Sequence, residues 1–221
     1  MLPEAAPAVH CLLRVTDPDA LVWEGPRPEW AAAALRRAPW TVTRRAPPRL
    51  ERWPVGVRGS QRAQRSAAWL PRCAVQECIT PQMLATQRAW RQRSHMPATP
   101  AIAVLDEVAA VLEAHGYAGR WGPGGSVGFE LASGVPSTTA GSDLDLVLSV
   151  DEPMARSVAL RLHADLAKLR VRIDLLLETP HGAAALAEYA TGEGATLLRS
   201  AHGPRLVQDP WAAEGPTVGC A

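Results

Sequence analysis

The clearest hydrophobic pattern lies in the second half of the chain. Ile102, Leu105, Val108, Ala109 and Leu112 recur at helical spacing, and Gly116 follows as a stop, which predicts an amphipathic helix. A glycine-rich stretch, WGPGGSVGFELASG, and a polar loop, VPSTTAGS, separate it from the next periodic run. Apolar and polar residues alternate in DLDLVLSV, predicting a strand over 143–150. Val158, Ala159, Leu162, Leu166 and Leu169 share one face of a predicted helix over 155–169. A strand over 171–177, a short helix over 182–190 and a strand over 196–200 complete the series. Strand–helix–strand alternation of this kind argues for an α/β or α+β sheet domain.

The first half is cut into short apolar bursts by prolines. Those at 21–23, 40–42 and 54–57 predict short strands. After Val57, the run RGSQRAQRSAAWL predicts a tight turn and then a helix, capped by Ser60 and striped by Ala63, Ala67 and Leu70. Thr80-Pro81 opens another predicted helix over 81–93, with proline in its first turn. Two prolines and few apolar residues make 94–100 a linker or helix boundary. The small-residue tail over 212–221 is expected to be loose.

Composition narrows the class. With 221 residues, 47% hydrophobic and 20% charged, the chain reads as one large domain or two small ones, not a disordered tail. Its longest apolar stretch, around 101–114, is interrupted by Asp106, Glu107 and Glu113. No run approaches the ~18 apolar residues of a membrane span. The start, MLPE, lacks the features of a secretory signal. Cys11, Cys73, Cys78 and Cys220 show neither a disulfide framework nor zinc-ligand spacing. A soluble cytoplasmic protein with reduced thiols is the expectation.

The net charge of +1 hides a division: residues 1–95 carry 15 arginines against 7 acidic residues, and the remainder carries 8 basic against 15 acidic. One half is suited to anions and the other to holding cations. Near-neutral charge overall and no aromatic-basic motif argue against a nucleic-acid binder.

Three features carry candidate chemistry. On a strand, Asp143 and Asp145 project to one face while Leu144 and Leu146 point to the core. Paired carboxylates repel unless a cation sits between them, and Mg²⁺ takes such hard oxygens together with substrate phosphates. Asp174 lies in an apolar strand where an unpaired charge is costly. A place beside the Asp pair, shared with the same metal, would relieve that cost; so would pairing with Arg172 on its own face. Ahead of them, Gly124-Gly125-Ser126 exposes backbone N–H groups and a hydroxyl able to hold a phosphate. Arg58, Arg62 and Arg65 supply forks for bidentate phosphate binding, with Ser60 and Gln61 as neutral donors. Together these describe Mg²⁺-dependent nucleotidyl transfer, with Asp174 the candidate base. The six histidines are scattered, and Trp121, beside the glycine turn, is the one tryptophan placed to meet an adenine ring.

The order Gly-Ser, Asp-x-Asp, later strand Asp resembles the nucleotidyltransferase superfamily related to DNA polymerase beta. More narrowly, the chain resembles the malonate decarboxylase holo-acyl-carrier-protein synthases, also called phosphoribosyl-dephospho-CoA transferases. PVGVRGSQRAQR, WGPGGSVGFELASG, SDLDLVL, IDLLLETPHGAAALAEYA and GPRLVQDPW carry the match over about residues 20–211. The resemblance implies an α+β fold: a small N-terminal β-rich domain over 1–80 that binds substrate or carrier, and over 81–221 a nucleotidyltransferase-like mixed sheet with flanking helices. It implies Asp143 and Asp145 as the catalytic pair. It also implies triphosphoribosyl-dephospho-CoA as donor, a serine of the malonate decarboxylase acyl carrier subunit as acceptor, and pyrophosphate as product. Arg199 stands where that family often has lysine, and Asp19-Ala20 stands where it usually has His-Asp. Two alternatives remain: a nucleotidyltransferase acting on another hydroxyl, or a non-catalytic carrier-binding module. Against the second, all three aspartates are intact.

Overall fold

The proline-bounded apolar bursts of the first half are too short for helices, and they pair into a sheet. In a computed structural model, which describes residues 7–47, 49–61, 63–92 and 98–212, they form β1 (Leu12–Val15), β2 (Val22–Trp23), β3 (Trp40–Thr43), β4 (Arg52–Arg58), β5 (Arg65–Pro71) and β6 (Val75–Ile79). The strand order is β2-β5-β4-β3-β1-β6, with every pairing antiparallel. One helix, α1 (Glu29–Arg37), packs on this sheet through Ala31 and Leu35. Its alanine run and the strands β1 and β6 went unread in the sequence.

The helix expected after Val57 does not form. β5 runs alongside β4 residue for residue, from Arg52 opposite Pro71 to Arg58 opposite Arg65. An Ala63-Ala67-Leu70 stripe fits a helix, but the alternate residues Ala68 and Leu70 also fill a core with Trp53, Val55 and Val57. The seven-residue ladder decides for the strand, because it satisfies backbone groups and buries that face together. Ser60 therefore caps no helix. Its hydroxyl donates to Gln64 Oε1 at 3.3 Å, inside a hairpin turn closed by Gly59 N–H on Gln64 O at 2.8 Å. Arg62 belongs to this turn by sequence and lies outside the described residues.

The second half begins with α2 (Pro81–Thr86), whose first turn is capped by Thr80 Oγ1 accepting from Met83 N–H at 3.1 Å. The single helix expected over 81–93 breaks at Arg88, which has φ +47°, and resumes only as a 3₁₀ turn over Ala89–Gln92. There follow α3 (Pro100–Ala103), α4 (Leu105–Ala114), β7 (Trp121–Pro123), α5 (Gly125–Ser133), β8 (Leu144–Ser149), α6 (Arg156–Leu166), β9 (Ile173–Thr179), β10 (Gly182–Ala185), α7 (Leu186–Thr191), β11 (Thr196–Ser200) and β12 (Gly203–Val207). They build a second sheet in the order β12-β11-β10-β9-β8-β7. Its one parallel pair is β8 and β9, joined by the α6 crossover; the other pairs are antiparallel. The helix expected over 182–190 is half strand: Gly182–Ala185 pairs with β9 before α7 begins. The fold is thus α+β, with a β-rich first half and a mixed sheet flanked by helices in the second.

The alternation in β8 does what it predicts. Leu144, Leu146 and Leu148 are fully buried with Leu105, Val108 and Leu112 of α4 and Leu162 of α6. Trp121 belongs to this core: it is 2% exposed and lies 6.1 Å from the Trp90 ring, so it is closed to an adenine. No helix among the described residues is long and apolar enough to cross a membrane, and the three described cysteines are free.

The two halves are fastened together by a shared apolar cluster of Leu12, Ala38, Trp40, Leu84 and Phe129. Beside it, Glu178 of β9 accepts from Arg45 Nη2 at 2.7 and 2.8 Å, and shares a 3.0 Å hydrogen bond with His10 Nε2. Burial pushes the Glu178 carboxyl up, but the hydrogen bonds from His10 and Arg45 outweigh it and hold the group below the usual carboxylate range. A depressed carboxylate stabilises the fold above its unfolded value, near pH 4.3, and loses that contribution as pH falls through the folded value. Glu178→Gln is therefore expected to cost about 3 kcal/mol at pH 7. Thermal unfolding should show the gap between wild type and variant closing as the pH drops below about 4.

Candidate active site

The site is assembled where β7 turns into α5. Gly124 N–H donates to the Asp145 carbonyl at 2.9 Å, and Gly128 N–H closes the first helical turn on Gly124 O at 2.7 Å. Between them Gly125 has φ +53°, in the left-handed region. A Cβ there would fall on Asp145 Oδ2 and 2.6 Å from its Cγ. The turn is bare because a carboxylate packs directly on its backbone. No side chain caps α5, so its first N–H groups stay available to an anion beside Ser126.

Asp143 and Asp145 flank the buried Leu144 at the start of β8, and with Ser126 they line one cavity of about 530 Å³. Asp145 stands opposite Asp174 in the parallel register of β8 and β9. Its carboxyl is pushed up, first by burial and then by the charges of Asp143 and Asp174, while Arg65 and Arg58 pull it back. A half-buried carboxylate crowded by two others is a site under electrostatic load, and a cation relieves it.

The cations within the chain come from the other half. Arg58 and Arg65 are direct cross-strand partners at the end of the β4–β5 hairpin, and both line the same cavity. Like charges placed opposite each other destabilise a sheet. Burial and the Arg65 charge push the Arg58 guanidinium down, and Asp145 works the other way. Two opposed forks over a cavity that also holds a helix N-terminus make a seat for a polyphosphate.

The rim of the cavity is the polar loop after α5, of which Ser137, Thr139 and Ser142 line the wall. This loop is held by Glu130, only 3% exposed, whose Oε2 accepts from Ser137 N–H at 2.7 Å, Thr138 N–H at 2.7 Å and Thr138 Oγ1 at 2.8 Å. The sequence marks this stretch only as a polar loop and gives neither it nor Glu130 a role in the site. The available signal was a lone acid inside the otherwise small and apolar helix GSVGFELAS.

Asp174 and Arg199 border a second space. Asp174 Oδ1 accepts from Arg172 Nε at 3.3 Å and Nη2 at 3.2 Å. It lines a second, larger cavity of about 790 Å³ that also contains Arg170, Arg172 and Arg199. Arg199 is thus grouped with Asp174 and not with the Asp143–Asp145 cavity. Asp174 stands between the two spaces, beside Asp145 through the strand register and open to the arginine-lined groove. Among the described residues, no three His, Cys, Asp or Glu side chains meet as a closed metal cage. The carboxylates placed to take a metal at this cavity are Asp143 and Asp145, with Asp174 opposite Asp145 in the strand register. Two hard oxygen ligands with room for waters and phosphates fit Mg²⁺, which seldom takes an all-protein cage.

Comparison with known proteins covers both halves. Residues 8–81 match the sequence model described as Phosphoribosyl-dephospho-CoA transferase MdcG N-terminal domain, and residues 84–210 match the corresponding C-terminal domain. A protein of Azotobacter vinelandii named phosphoribosyl-dephospho-CoA transferase is 40% identical over 205 residues, covering 93% of this chain and 94% of that one. Proteins of the same name are 41% identical in Pseudomonas putida (88% of this chain, 95% of that one) and 36% identical in Klebsiella pneumoniae (95% and 98%). No solved structure matches.

Proposed function

The chain belongs to the phosphoribosyl-dephospho-CoA transferase family and is a transferase; from that premise we propose that it moves the phosphoribosyl-dephospho-CoA unit from 2'-(5-triphosphoribosyl)-3'-dephospho-CoA to a serine of the malonate decarboxylase acyl carrier subunit, releasing pyrophosphate. The observation that carries this reading is the meeting of Arg58, Arg65, the α5 N-terminus and the Asp143–Asp145 pair around one cavity. That arrangement suits a triphosphate undergoing displacement better than any neutral ligand.

In this mechanism Arg58 and Arg65 grip the β- and γ-phosphates, and Ser126 with the α5 N–H groups orients them. When bound, Mg²⁺ held by Asp143 and Asp145 neutralises charge on the phosphates. The acceptor hydroxyl approaches from the Asp174 side and attacks the α-phosphorus in line. The new bond joins serine Oγ to that phosphorus, the bond from the α-phosphorus to the bridging oxygen breaks, and pyrophosphate departs with the electron pair. The serine proton passes to Asp174, whose Oδ1 is steadied by Arg172. The excess of arginine over acid in residues 1–95 would steer an acidic carrier toward the hairpin.

The test is pyrophosphate release and carrier labelling with the purified chain, the carrier subunit and the triphosphoribosyl donor, set beside ATP and CTP. Efficient labelling by the donor alone supports the proposal. Equal use of ATP or CTP would indicate transfer to another acceptor, and no release with any of them would leave a carrier-binding module. Asp174→Asn is expected to lower turnover roughly 10²–10⁴-fold with donor affinity unchanged. Near-normal turnover at saturating Mg²⁺ would remove Asp174 as the base.

A further inference from the structure

A second cavity, about 340 Å³, opens beside the phosphate seat and shares Arg58, Ser60 and Ser137 with it. Its character is different. Trp30 and Ala34 of α1 form one wall, and Phe129 in the middle of α5 and Pro136 just after its end form the other. The size lies within the range of small-molecule sites, roughly 300–1,000 Å³. The Arg58 guanidinium sits 5.8 Å from the centre of the Phe129 ring, so one residue spans both spaces. Arg37 Nη2 donates to Pro136 O at 3.2 Å, tying α1 to the opposite wall.

We propose that this cavity is the subsite for the dephospho-CoA part of the donor, with the adenine against the half-exposed Trp30 and the alanine face of α1. The inference rests on the donor assignment made above and adds where its non-reacting part lies. The donor has a strongly anionic triphosphate at one end, carried on a ribose that is joined to the adenosine of dephospho-CoA, so a flat heterocycle follows next along the molecule. The cleft has a matching division, with paired arginines and carboxylates in one chamber and aromatic and alanine surface in the next. Flat rings gain from such aromatic contact, and Arg37 and Gln64 supply polar donors around it. Because the walls come from both halves of the chain, neither half alone forms the subsite. Binding energy from this non-reacting part would go to orienting the phosphates for attack.

Isothermal titration of the full chain with dephospho-CoA, and separately with inorganic triphosphate plus Mg²⁺, tests the division. Ala33→Trp places a ring on the exposed side of α1 at the cavity wall, where the fold tolerates it, and Trp30→Ala removes an aromatic face. Both are expected to weaken dephospho-CoA at least tenfold and leave triphosphate within twofold. Arg65→Ala, which touches only the phosphate chamber, should do the reverse. The proposal is overturned if wild type does not bind dephospho-CoA, if Ala33→Trp and Trp30→Ala both bind it as wild type does, or if Arg65→Ala abolishes its binding. Carrier labelling separates this from the reaction itself. Labelling unaffected by both wall variants removes the subsite alone, whereas loss of dephospho-CoA binding in a chain that labels nothing keeps the subsite without the reaction.

Discussion

Asp145→Asn is expected to reduce carrier labelling by roughly 10³-fold while the melting temperature stays level or rises. The opposite signs follow from one fact. The Asp145 carboxylate is crowded by burial, Asp143 and Asp174, so its charge opposes folding in the empty protein and serves only when a cation and phosphates arrive. A group whose pKa is raised on folding weakens the fold wherever it is ionised, and a neutral isostere removes that strain. Asparagine keeps the shape beside Gly125 and leaves the backbone carbonyl free to accept from Gly124. Asp143→Asn should lose activity to a similar degree. Thermal melts with and without Mg²⁺ plus inorganic triphosphate provide the check: wild type should gain stability from the pair of ligands, and Asp145→Asn should gain little. A variant that labels carrier at the wild-type rate would remove the Asp pair from the chemistry.

Much of this site was legible along the chain because its positions are set by strong periodicity. Leu144, Leu146 and Leu148 must face the core, and that alone turns Asp143 and Asp145 together toward the cavity. The strand at 171–177 follows the same logic, and a parallel crossover then puts Asp174 opposite Asp145. The first half was less legible for a physical reason. Between Arg58 and Leu70 small residues fit periods of both two and 3.6, and only pairing with β4 decides between them. That decision changes the site's account: arginines expected along a helix face become cross-strand neighbours at a hairpin end. Arg199 shows the limit from the other side. Its charge was visible in sequence, but nothing local revealed that β11 carries it to the Asp174 groove. Trp121 failed similarly, since proximity in sequence to the glycine turn says nothing about which side of β7 a ring takes.

Gly125→Ala is expected to match Asp145→Asn in lost activity, again about 10³-fold, though it touches no ionisable group. Two effects act at one atom. The left-handed backbone at φ +53° costs a non-glycine residue about 1–2 kcal/mol. The added methyl would also occupy the place of Asp145 Oδ2, so either the carboxylate swings away or the α5 N-terminus withdraws. Either movement separates the phosphate seat from the Asp pair, which work as a unit only in contact. Gly134 provides the control. It ends the same helix at φ +69°, and a Cβ there meets nothing within 4 Å. Gly134→Ala should therefore pay only the conformational cost, about 1–2 kcal/mol, and label carrier normally. Melting curves and labelling rates of the two alanine variants, measured side by side, distinguish strain from collision. If Gly125→Ala lost stability alone, as Gly134→Ala does, the close packing of glycine on carboxylate would have no part in the reaction.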